Sequence, residues 1–76
     1  MTNTAELERL IKESGLKKGY IAKVLGISRH ALNNKIKNIS VFTATEISLL
    51  CDLLKITSLK EKDKIFFAQA VILNHV

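Results

Sequence analysis

At 76 residues the chain has room for one core and no second domain, since a domain ordinarily takes about 100 to 200 residues. Hydrophobic residues make up 47% of it and charged residues 25%, with three Gly and no Pro, a balance that excludes both a disordered chain and a loop-rich one. The formal charge is +5, and a single Cys with two widely spaced His residues, His30 and His75, excludes an internal disulfide and a structural zinc site; no metal or cofactor is expected.

The elements follow in chain order. Asn3 or Thr4 is a natural N-cap, Glu6 and Glu8 fall in the first turn, and Leu7, Leu10 and Ile11 repeat at i, i+3, i+4 to predict a first helix ending at Ser14-Gly15-Leu16. A second helix is predicted from Lys17 to Leu25, with Ile21, Val24 and Leu25 as its apolar stripe and Ala22 beside it, and Gly26 stops it. Ser28 caps a third helix from Arg29 to about Lys37 whose inward pair is Leu32 and Ile36. Two short helices joined by the three residues Gly26-Ile27-Ser28 are the signature of a helix-turn-helix over residues 17–37.

Thr43-Ala44-Thr45-Glu46 reads as a capping box, and Ile47, Leu50, Cys51 and Leu54 continue it as a fourth helix ending near Lys55. Ser58-Leu59-Lys60-Glu61 reads as a second capping box that opens a short fifth helix. Beyond Lys64 the apolar residues fall at both parities and on every helical face, so residues 66–76 are expected to form an extended tail. The fold class expected is therefore all-α: a compact bundle of about five short helices in one domain.

The position of the charge is more informative than its total. Between Glu13 and Glu46 lie Lys17, Lys18, Lys23, Arg29, Lys35 and Lys37 with no acid among them, while the rest of the chain holds six cations against seven acids. A one-sign block inside a folded region points to a polyanionic partner such as nucleic acid. A spanning helix needs about 20 apolar residues, and the longest uncharged run, 65–76, has 12. With Glu6, Glu8 and Glu13 breaking any apolar leader, a cytoplasmic protein without a membrane partner is expected.

Lys18 to Ile36, KGYIAKVLGISRHALNNKI, resembles the helix-turn-helix of the Cro and repressor proteins of temperate phages. Ile21, small Ala22 at the helix crossing, Gly26 at the turn, and Ile27 and Leu32 after it carry the likeness. With the flanking helices it extends from residue 3 to about 67. The resemblance implies a bundle of about five helices, sometimes completed by a C-terminal strand that pairs across a dimer, and a sequence-specific regulator that binds a palindromic double-stranded DNA operator as a homodimer. In that family the base contacts come from the first two residues of the third helix and from one a turn later, which here match Arg29, His30 and Asn34. Two positions depart from the pattern: Lys17 stands where Thr or Ser often caps the second helix, and Lys35 where an apolar residue is frequent.

The residues themselves support that assignment. With Leu32 and Ile36 turned inward, the outer face of the third helix shows Arg29, His30, Asn33, Asn34 and Lys37, all without an acid; Arg can pair with guanine and Asn with adenine in the major groove. Two lysines at a helix N-terminus oppose its dipole, and Gly19 weakens the same turn, a conflict that a bound phosphate removes. Phosphate contacts are accordingly expected from Lys17, Lys18 and Gly19, and from Ser28, Lys35 and Lys37. Phe66, Phe67, Val71, Ile72 and Leu73 are too apolar for so small a domain to leave in water, and are expected to form a dimer interface. Cys51 falls on an apolar stripe and reads as a core thiol, and no serine or histidine has catalytic company, so no enzymatic activity is expected. The apolar tail also fits a different class of function: an anti-repressor or antitoxin-like module that engages a second phage or bacterial regulator through the same bundle.

Overall fold

The computed structural model describes residues 1–67 and consists, over that span, of five helices and no strand: α1 (Thr4–Ser14), α2 (Lys18–Leu25), α3 (Arg29–Ile36), α4 (Ala44–Leu54) and α5 (Leu59–Phe66). Four of the five begin at a side-chain cap. Asn3 accepts a hydrogen bond from the Glu6 N–H, Ser28 from Ala31, Thr43 from Glu46 and Ser58 from Glu61. At Thr43 the box is reciprocal, Glu46 Oε1 accepting the Thr43 N–H at 2.9 Å. Gly15 and Gly26 end α1 and α2 at φ 74° and 75°, a conformation that costs a residue with a Cβ. Asn38 and Lys55 take the same left-handed backbone after α3 and α4.

One core joins all five helices. Leu7, Ile21, Leu32, Ile36, Leu50 and Ile65 are fully buried, and Ala22, Ile47 and Cys51 are buried with them. Ala22 is buried in α2, the helix that packs against both α3 and α4. Phe42, in the link before α4, meets Phe66 edge to face with ring centroids 5.8 Å apart.

The fifth helix differs from expectation at its end. α5 continues through Ile65 and Phe66, both of which are buried, so the apolar run at Lys64 begins as the inner face of a helix and not as a tail. Residues this close to the core are helical because burial, not periodicity, decides so short a segment. The expected tail conformation beyond residue 67 lies outside the described residues. No described helix is long and apolar enough to cross a membrane.

Backbone and side-chain bonds tie the ends of the bundle together. The Asn3 N–H donates to Ile65 O at 2.6 Å, joining the start of α1 to the end of α5. Thr4 Oγ1 donates to Ile36 O at 2.6 Å, and Asn38 exchanges bonds of 2.8 and 2.9 Å with the backbone of Thr2. These residues therefore fix the C-terminal end of α3.

Candidate nucleic-acid interface

α3 buries Leu32 and Ile36 and presents its other side outward. Arg29 and His30, the first two residues of the helix, are exposed; Asn33 and Asn34 are half-buried on its flanks. The Asn34 Nδ2 lies 3.4 Å from His30 Nε2, one helical turn away, so these two polar groups are held side by side. Ser28 is exposed at the N-cap, where its Oγ accepts the Ala31 N–H at 3.0 Å and keeps its own proton to donate. Lys37 is exposed at the other end. The structure thus brings Ser28, Arg29, His30, Asn33, Asn34 and Lys37 onto one short helix and its caps, with no acid among them.

The start of α2 is the least satisfied helix end among those described. Lys17 occupies the N-cap with extended backbone, φ −81° and ψ 143°, and makes no side-chain cap bond. The first turn contains no acid, and Gly19 follows in it. A Cβ built on Gly19 would meet nothing within 4 Å, so packing inside this molecule does not require glycine there. Free N–H groups, a cation and an uncovered backbone at one helix end form a setting that favours an anion.

Not all six cations of the basic block are available. Lys18 is half-buried and pairs with Glu8 of α1, Nζ to Oε1 3.0 Å. Lys35 turns inward to Glu46 of α4, Nζ to Oε1 2.6 Å, with side chains only 14% and 10% exposed. Sequence separation hid both acids. The Lys35 ammonium is thus engaged inside the molecule, and Lys35 is left out of the interface proposed below. Lys17, Lys23, Arg29 and Lys37 make no ion pair with another described residue.

The Lys35–Glu46 pair explains how a lysine occupies a position suited to an apolar side chain. Its stem lies against the bundle, and its charge meets the carboxylate that also closes the α4 capping box. Burial pushes the Glu46 pKa up, but hydrogen bonds from Lys35 and the Thr43 backbone outweigh it and hold the carboxyl below its ordinary value. α3 is therefore anchored to α4 by this pair and to the start of α1 by Thr4 and Asn38. Sequence reasoning missed these positioning residues. An Asn just after a helix signals a left-handed stop, yet nothing local identifies Thr2 as its partner.

Two further expectations meet the structure here. Phe66 is only 3% exposed, because it packs in the core against Phe42, so it is not available as a dimer contact. Phe67 is exposed, and Val71, Ile72 and Leu73 lie outside the described residues. Cys51 is buried, and burial raises its thiol pKa, which keeps it in the unreactive protonated form.

Comparison with known protein families, curated proteins and solved structures gives no match to this chain.

Proposed function

We propose that this protein is a sequence-specific DNA-binding regulator that places α3 in the major groove, with α2 and α3 acting as a helix-turn-helix. The observation that carries this reading is the outer face of α3: Arg29, His30, Asn33 and Asn34 stand outside the core with no acid among them. Arg29 suits the O6 and N7 of guanine, and Asn33 or Asn34 the edge of adenine. Lys17, the Gly19 backbone, Ser28 and Lys37 contact phosphates and set the register, with Lys23 adding to the local field. No cofactor or catalytic step enters this function, and its setting is the cytoplasm.

One helix of eight residues reads only a few base pairs. A homodimer on a palindromic operator, with half-sites about 34 Å apart, gives specific affinity. Phe67 is the described residue from the expected dimer surface that remains exposed.

Selection of bound sequences from a random duplex pool at moderate salt tests this function. The expected result is an enriched motif with dyad symmetry. Arg29→Ala should then relax preference at one base pair per half-site, while Lys17→Ala weakens operator and random DNA alike and lowers the salt slope. A pool that yields no bound DNA would overturn the reading in favour of a module that engages another regulator.

A further inference from the structure

His30 and Asn34 stand one turn apart on the outer face of α3, with Asn34 Nδ2 3.4 Å from His30 Nε2. The nitrogen of a side-chain amide can only donate, so this contact is a hydrogen bond only when Nε2 accepts. A neutral imidazole whose Nε2 accepts carries its proton on Nδ1. The backbone beneath the pair is itself held. The Asn34 carbonyl accepts the Ile39 N–H at 2.8 Å and the Ser40 N–H at 3.3 Å, and the Ser28 cap closes the first turn, in which His30 lies. The partner of His30 is Asn34 and not Asn33, which follows it by three residues.

Adenine presents the N6–H donor and the N7 acceptor in a fixed order along the major groove, and an asparagine matches them only with Oδ1 and Nδ2 in the corresponding order. Rotating the amide by half a turn reverses that order, and the torsion of a free Asn side chain is roughly two-fold, so it does not choose between them. We propose that His30 is a positioning residue that makes this choice: its Nε2 takes one Nδ2 proton of Asn34, which leaves Oδ1 and the other Nδ2 proton in a single order for adenine. Histidine serves here where lysine or arginine could not, because neither of those can accept a hydrogen bond. Asn34 is then the adenine reader, and His30 acts through it without touching a base. The inference rests on the DNA-binding function proposed above and departs from the resemblance, in which the second residue of the third helix contacts a base itself.

Two measurements test this. In the free protein at about pH 8, where an imidazole is neutral, nitrogen-15 spectra should show the His30 ring protonated at Nδ1 and bare at Nε2. Loss of the signal in His30→Gln assigns it, and a ring protonated at Nε2 overturns the proposal without any DNA present. The second measurement compares duplexes that differ at one base pair per half-site. The parent should prefer adenine at one position by about 5- to 100-fold, and Asn34→Ala should remove that preference and so identify the position. His30→Lys should lower the same preference to about twofold or less while raising affinity for random DNA, because the new cation meets phosphates but cannot accept from Nδ2. His30→Gln, whose Oε1 can accept that proton, should retain most of the preference. A preference that survives His30→Lys overturns the proposal and leaves the DNA-binding function standing. So does a loss in His30→Lys at a different base pair, which would make His30 a reader in its own right. If no duplex binds, the DNA-binding function falls and the proposal with it.

Discussion

The N-termini of α2 and α4 begin with the same need, backbone N–H groups without helical partners, and the chain treats them differently. At α4, Thr43 and Glu46 satisfy each other's backbone, and Glu46 takes the Lys35 ammonium as well. At α2, Lys17 leaves the cap position without a side-chain bond and Gly19 loosens the first turn. Both helices bury apolar faces in the same core, so the difference is not one of packing quality. Local rules are kept at one helix end and broken at the other, and such breaks belong where function makes its own demand. On the function proposed here, that demand is the binding of a phosphate.

The sharpest break of the comparison comes from the well-made side. Leu50 is fully buried in α4, and Leu50→Ala should cost about 2 to 5 kcal/mol by denaturant titration. A cost under about 1 kcal/mol would mean that α4 is not the rigid reference against which α2 is judged.

Lys35→Ala should cost about 2 to 4 kcal/mol because it strands the Glu46 carboxylate near the core. Lys35→Met combined with Glu46→Gln should recover much of that loss, since Gln retains the capping bond and no charge is left unpaired. The pair also makes stability depend on pH. Glu46 has a folded pKa below 4.5, so its contribution is full above pH 4.5 and disappears as pH falls through the lower folded value. Thermal melts across that acid window should show a steep loss in the parent and a shallower one in Glu46→Gln.

Repairing α2 should have the opposite sign. Lys17→Ser should stabilise the free protein by about 1 kcal/mol, while weakening DNA binding in a retention assay. Gly19→Ala should add up to about 1 kcal/mol, since its Cβ meets open space, and should also weaken binding if a phosphate uses that space. A stability gain in both variants with unchanged DNA binding would leave the open end of α2 without a purpose in recognition. The smallest effect belongs to Lys18: with Glu8 partly in solvent, Lys18→Ala should change stability by less than about 1 kcal/mol.

Sequence patterns carried most of the helical order. The spacing of Leu7 and Ile11, the caps at Ser28 and Thr43, and the stop at Gly26 are each local signals, and the five helices fall where they point. The fate of Ile65 and Phe66 was not legible, because their neighbours Asn3 and Phe42 come from distant parts of the chain. At the candidate site, the outer face of α3 could be deduced from the burial of Leu32 and Ile36. The commitments of Lys18 and Lys35 could not, because the acids they meet belong to α1 and α4. A run of like charges along a sequence therefore overstated the free charge in space.

The hydrogen bond from the Asn3 N–H to Ile65 O has a consequence for how the molecule is made. It joins residues nearly a whole described chain apart, so during synthesis this bond must wait for α5 to leave the ribosome, whereas the first turn of α1 closes locally through the Asn3 cap. The last contact to form is thus shared by both ends, and loop-closure entropy falls on that step more than on the pairing of α2 with α3. Hydrogen exchange should find the amide of Asn3 opening together with the final turn of α5, as one cooperative unit distinct from the middle of the bundle.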